Sequence, residues 1–158
     1  MEINFTRGVL EIENARIIYR NFSGAGSKFN REGDRNFAVI VPTEELKDEL
    51  IENGWNVKVK PPREDYEEPF MFIPVKIKFN NRGPAVYVES GDSVTRLTED
   101  TVDMLDEIDI AHVSMDLRPY DWEVNGKTGR TAYLQSIKVT QNIDRFGAMY
   151  ASEGTSIN

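Results

Sequence analysis

The chain has no cysteine and a single histidine among its 158 residues. Without thiols there is neither a disulfide nor a thiolate zinc site, and one imidazole leaves most histidine metal sites and Ser-His-Asp arrangements short of parts. That residue, His112, lies in the alternating run Ile108-Asp-Ile-Ala-His-Val-Ser-Met115. It shares a face with Ser114 and Asp116 and reads as a surface strand residue. No apolar run approaches the ~18–20 residues that span a bilayer. The start, Met1-Glu2-Ile3-Asn4, is acidic and has no apolar h-region. A Walker loop and a dinucleotide fingerprint are both missing, and Gly24-Ala-Gly26 follows a strand but opens no helix. Helix-turn-helix and zinc-finger patterns are missing too. These absences lead us to expect one intracellular domain with no cofactor, no resident metal and no membrane partner.

Charge is unevenly spread over the chain. The formal net charge is −8. Residues 43–53, 64–68 and 98–109 together carry fifteen acids and one base, whereas the remainder carries eighteen bases and twelve acids. A polyanion responds to the local patch and not to the total, so the acidic balance does not exclude nucleic acid.

Most of the chain has strand periodicity. Residues 9–22 read as one long strand, bent near Glu13-Asn14, and Ser23–Ser27 as a flexible loop. Phe37–Val41 is an apolar strand stopped by Pro42. Thr43 then caps a helix through Glu52, with acids in its first turn and Leu46, Leu50 and Ile51 on one stripe; Asn53-Gly54 ends it. Trp55–Lys60 alternates. In 70–79, Met71, Ile73, Val75, Ile77 and Phe79 take a core face, while Phe70, Phe72, Lys76 and Lys78 take the other. Asn80–Pro84 is a turn and Ala85–Glu89 a short strand. Thr98 starts a second short acidic helix with Val102 and Leu105 inward. Residues 108–124 and 130–141 are the last strands, joined at Asn125-Gly126, a pair suited to the positive φ of a two-residue hairpin. The expected domain is 1–141, with a flexible tail over 142–158. The expected class is mainly β, a small antiparallel barrel with two short acidic helices. Periodicity leaves an OB-fold barrel, a jelly roll and an immunoglobulin-like sandwich open.

The strongest candidate site is the hairpin Arg118–Thr140. Arg118, Tyr120 and Trp122 fall on one face of its first strand, where rings and a cation could stack on unpaired bases. Aromatics also accompany cations elsewhere. Tyr19, Arg20 and Phe22 precede the glycine loop, and Lys28, Phe29, Arg31 and Arg35 follow it. Lys58 and Lys60, then Phe70, Phe72, Lys76 and Lys78, add basic strand faces. The stacking candidates are Tyr120, Trp122 and Phe29; the phosphate candidates are Arg20, Lys28, Arg31, Arg35, Lys76, Lys78, Lys127 and Arg130. Such a surface suits single strands better than duplex, which hides its base faces. Asp109, Asp116, Asp121 and Glu123 offer an alternative, a divalent-metal site for phosphodiester hydrolysis.

Several blocks bear a family likeness. Arg35-Asn-Phe-Ala-Val-Ile-Val41, Glu52-Asn-Gly-Trp-Asn-Val-Lys58, Pro61-Pro62, Arg118-Pro-Tyr-Asp-Trp-Glu-Val-Asn-Gly-Lys-Thr-Gly129 and Ala132-Tyr-Leu134 occur in that order. By their order and spacing, over roughly residues 14–141, the chain resembles single-stranded DNA-binding proteins of tailed bacteriophages and prophages. The resemblance implies an OB-fold that coats single-stranded DNA during phage replication or recombination, without catalysis, in the host cytoplasm. Phage or host replication and recombination proteins are open as further partners, as is a homodimer, since the sequence does not fix the oligomeric state. Proteins of this function often end in a strongly acidic tail. Here only Asp144 and Glu153 follow Gln141, against Arg145, which puts recruitment through that end in doubt. The rivals are a metal-dependent nuclease and a phage assembly protein with a β-sandwich.

Overall fold

The computed structural model describes residues 1–61, 70–81 and 83–143. Among them the strands are β1 (Glu2–Thr6), β2 (Val9–Glu13), β3 (Ile17–Asn21), β4 (Arg35–Ile40), β5 (Lys58–Lys60), β6 (Phe70–Ile77), β7 (Ala85–Ser90), β8 (Ser93–Leu97), β9 (Ile110–Val124) and β10 (Lys127–Gln141). Helix α1 (Glu44–Glu52) follows β4, and a 3-10 turn over Val102–Asp106 precedes β9. No helix among the described residues is long and apolar enough to cross a membrane.

The spine is the β9–β10 hairpin. Asn125 and Gly126 take φ of 51° and 80°, the left-handed pair whose twist matches that of the strands it joins. The resulting register sets Val124 opposite Lys127 and Arg118 opposite Tyr133. Further along, the register slips between Leu134 and Ser136, leaving Gln135 as a bulge. Bulges bend strands, and here β10 changes neighbours. Ala132 and Tyr133 pair with β6, while Ser136–Thr140 pair with β7.

Both pairings are parallel, which corrects the expectation of an antiparallel barrel. β6 and β7 run the same way along β10, so the tight Asn80–Gly83 turn between them displaces the chain without reversing it. The hydrogen-bonded path β1-β2-β9-β10-β6-β4-β3 does not close; β5 adds to β6, β7 to β10, and β8 to β7. The long strand expected over 9–22 is broken at Asn14, where φ of 56° ends β2.

Alternation fills one face of the sheet with Leu10, Ile12, Phe37, Val39, Ile73, Val75, Leu117 and Ile137, all buried. Phe22 stacks on Phe37 at 5.3 Å between ring centroids. Helix α1 begins as expected, Thr43 Oγ1 accepting from Leu46 N at 3.2 Å. It buries Leu50, but Ile51 is exposed, so the stripe is narrower than expected. The second helix is only a 3-10 turn, with Val102 and Leu105 buried as expected. The loop after β3 is pinned by asparagines. Asn21 Oδ1 accepts from Ala25 N, and Asn30 Nδ2 donates to the carbonyls of Ala25, Arg31 and Asp34. That corrects the expectation of a flexible segment. Asn142 is still tied to Asp109; the expected tail from residue 144 onward lies outside the described residues.

Candidate nucleic-acid interface

Residues that do not face the core form the sheet's other face. A row crosses four strands in register: Arg118 of β9 opposite Tyr133 of β10, Tyr133 beside Lys76 of β6, and Lys76 opposite Asn36 of β4. Parallel to it, Tyr120 pairs with Thr131 and Trp122 with Gly129. The rings support one another. Tyr120 meets Tyr133 edge-on at 6.2 Å, and the Arg118 guanidinium lies 5.8 Å from the Tyr133 ring. Trp122 lies flat against Gly129, where a Cβ would stand 2.3 Å from indole Cζ2. A glycine here lets the ring cover the backbone. Tyr120 is 59% exposed and Trp122 39%, so neither is a core residue.

The far end of this face holds a second aromatic group. Tyr19 meets Phe72 at 6.1 Å and Phe70 at 6.4 Å, both edge-on. Lys60 Nζ lies 5.2 Å from the Tyr19 ring centre. Between the two ends runs a groove of about 720 Å3, lined by Tyr19, Asn36, Phe72, Lys76, Lys78 and Tyr133 among others. A smaller one of about 160 Å3 shares Pro74 and Lys76 with it and adds Lys58 and Thr131. Lys58, Lys60, Lys76, Lys78 and Arg118 are exposed, and none has an ion-pair partner among the described residues. The two acids on the larger groove are each beside an arginine, Asp34 at 3.4 Å from Arg31 and Glu99 at 4.0 Å from Arg35. Open cations therefore dominate the groove.

Of the residues expected from sequence, Lys76, Lys78, Tyr120 and Trp122 stand on this face. Lys28, Phe29 and Arg31 stand on the pinned loop at its rim. Ser27 and Asn30 exchange backbone hydrogen bonds, presenting Lys28 and Phe29 at a tight tip where Phe29 is 91% exposed. Lys127 is exposed beside the hairpin turn. Arg35 sits against the Phe79 ring at 5.3 Å, its side chain only 17% exposed.

Two expected phosphate ligands are committed to the fold. Arg20 Nη1 donates to the carbonyls of Leu105 and Ile108 at 2.9 and 2.8 Å, fastening the segment before β9 to β3. Arg130 Nε and Nη2 grip Asp121 at 2.6 and 3.0 Å. Its Nη1 donates to Asn53 O at 3.0 Å, and its guanidinium lies 5.2 Å from the Trp55 ring. All three guanidinium nitrogens are engaged, so Arg130 ties the hairpin to the end of α1. Asp121 is held below the ordinary carboxylate value chiefly by the hydrogen bonds from Arg130, which is raised in turn. The carboxylates considered for a metal are spread along β9 or already used. Asp116 accepts from Ser136, Asp121 belongs to Arg130, and no three histidines or carboxylates converge among the described residues.

Tyr133 joins the interface without having been singled out, and Arg118, Tyr19, Phe72 and Lys60, noted among the aromatics and cations but not among the stacking and phosphate candidates, join it too. Tyr133 was within reach. An Asn125-Gly126 two-residue turn sets 124 opposite 127, and counting back puts Tyr133 across from Arg118.

A sheet face of open rings and unpaired cations defines a class of protein, the binders of flexible polyanions that carry exposed flat groups. The chain belongs to the family described as "Putative phage ssDNA-binding domain", whose model matches residues 3–155. Solved structures of similar fold are those of a single-stranded DNA-binding protein from bacteriophage Enc34. The form in complex with ssDNA is 17% identical with a TM-score of 0.57, over 89% of this chain and 90% of that one. A further structure of that protein is 16% identical with a TM-score of 0.53, over 100% of both chains. Its C-terminal truncation is 15% identical with a TM-score of 0.52, over 87% and 88%. No curated protein sequence matches the chain.

Proposed function

We infer that the chain coats single-stranded DNA, with little sequence preference and without catalysis, in phage or prophage replication or recombination. The observation that carries this is the in-register row Arg118–Tyr133–Lys76, with Tyr120 and Trp122 at one end and the aromatic groove at the other. Rings accept any base because every base has a π-face, while lysines and arginines follow the phosphates. Lys28, Phe29, Arg31, Lys76, Lys78, Arg118, Tyr120, Trp122, Lys127 and Tyr133 are contacts in this reading. Arg20 and Arg130 act behind the surface. The bulged β10, which changes neighbours, and the pinned loop at the rim support an OB-fold-like architecture, opened between β1 and β3. The family and the Enc34 complex with ssDNA support the choice of ligand.

A fluorescence titration with poly(dT) against duplex of the same length tests the reading. Single strands should bind more tightly. Affinity should fall with salt at a log–log slope of about −0.7 per phosphate contacted. No binding at low salt, or binding indifferent to salt, would sink it.

A further inference from the structure

β3 ends the sheet path, and its backbone is distorted at one residue. Tyr19 has φ of 53°, where glycine is the default and a bulky L-residue is an outlier. The register of β3 against β4 slips there, between Ile18 and Asn21. Regular alternation would put Tyr19 on the same face as Ile17, which packs against the core. The extra residue instead sets Tyr19 beside Ile18 on the outer face and sends Arg20 and Phe22 inward, as bulges re-aim side chains. Strained backbone persists where surrounding contacts over-determine it and clusters at ligand sites. The ring so placed is 57% exposed, edge-on to Phe70 and Phe72, with the Lys60 ammonium over it.

We propose that Tyr19 is a second base-stacking platform, distinct from Tyr120 and Trp122, and that one DNA strand crosses the sheet to lie on both. This rests on the single-strand reading above and extends it to a path. The order β9-β10-β6-β4-β3 separates the backbones of the two platforms by four strand spacings, about 19 Å at the usual interval, and the Tyr19 ring reaches back toward Phe72 of β6. The groove between them reaches from Tyr19 to Tyr133 and carries Lys76 and Lys78 for the intervening phosphates. Lys60 serves the phosphate beside the Tyr19 base.

Tyr19→Gly and Tyr19→Phe in the full chain test the proposal, each melted thermally and titrated with oligo(dT) long enough to span the face. Glycine removes the ring and relieves the left-handed strain together. Its Tm should stay near that of the wild type, the relieved strain offsetting the lost ring contacts, while affinity per folded molecule falls about 5- to 150-fold, the worth of one stacked base. Tyr19→Phe should keep near wild-type affinity, because the ring and not the hydroxyl meets the base. The proposal is overturned if the glycine variant binds like wild type, if its weaker binding is fully accounted for by its unfolded fraction at the assay temperature, or if phenylalanine loses as much. Failure of the wild type itself to bind oligo(dT) would instead strike the single-strand reading.

Discussion

Replacing Trp122 by alanine separates a ring that meets a base from one that only packs. Trp122 is 39% exposed, so roughly three-fifths of its ~200 Å2 side chain is covered in the free protein. At 25 cal/mol per Å2 that is about 3 kcal/mol, and about 2 kcal/mol once a compact unfolded chain is taken as reference. The site is open to solvent, so no internal cavity adds to the cost. A wholly buried aromatic would lose about 3–5 kcal/mol. Trp122→Ala should therefore lower Tm by roughly 4–8 °C for a chain of this size. Its affinity for poly(dT) should drop by about 1–3 kcal/mol if the ring stacks on a base. The other tryptophan, Trp55, is only 4% exposed, so a DNA-dependent change in tryptophan fluorescence reports Trp122 and should vanish in the variant. Chemical unfolding and titration on the same preparation give both quantities. Unchanged affinity per folded molecule would refute the stacking assignment. A stability loss above about 4 kcal/mol would refute the reading of Trp122 as a surface ring.

The hairpin cations should behave differently from each other. Lys127→Glu should weaken binding with stability held within about 0.5 kcal/mol, whereas Arg130→Ala should cost about 2 kcal/mol through its lost charged hydrogen bonds and leave the salt slope of binding unchanged. An unaltered melting curve for Arg130→Ala would contradict its place between Asp121, Asn53 and Trp55. Because Asp121 is depressed in the fold by Arg130, its stabilising effect is full above the ordinary carboxylate value of about 3.9 and is lost as pH falls through its lower folded value. Acid melts should show wild-type Tm dropping more steeply below about pH 4 than that of Asp121→Asn, and parallel profiles would argue against the coupling.

Elements defined by their own residues were legible. The Asn125-Gly126 turn and the Thr43 cap each depend on local chemistry and are found where expected, and the alternation of Met71–Ile77 holds except at Phe72, which is buried with its two neighbours. Elements defined by a partner were not. β1 and β8 are short, and β8 exposes every residue but Leu97, so no apolar alternation marks it. The bulges at Tyr19 and Gln135 are relations between two strands, and no periodicity within one strand contains them. The candidate site divides in the same way. Exposed Lys76, Lys78, Tyr120 and Trp122 follow from strand parity. Arg20 and Arg130 have the same residue type as a phosphate ligand; the turn register already sets Arg130 opposite Asp121, but the carbonyls that complete their use come from distant segments. The glycines and serines of Ser23–Ser27 read as a flexible loop by composition, yet the side-chain amides of Asn21 before it and Asn30 after it bridge its backbone.

β10 has a consequence for how the molecule comes into being. It is the last described strand in chain order, yet it alone touches β9, β6 and β7 together. During synthesis the apolar sides of β6 and β7 emerge from the ribosome well before the strand that joins them. The nascent chain can form the β1–β2 hairpin and the β4–β6 pairing early, since those contacts need no later residues. Closure of the core waits for residues 127–141. Such late, long-range pairing makes folding slow and leaves strand edges open to other chains in the interval. The window for misassembly is therefore set by the time taken to translate the segment between β7 and the end of β10.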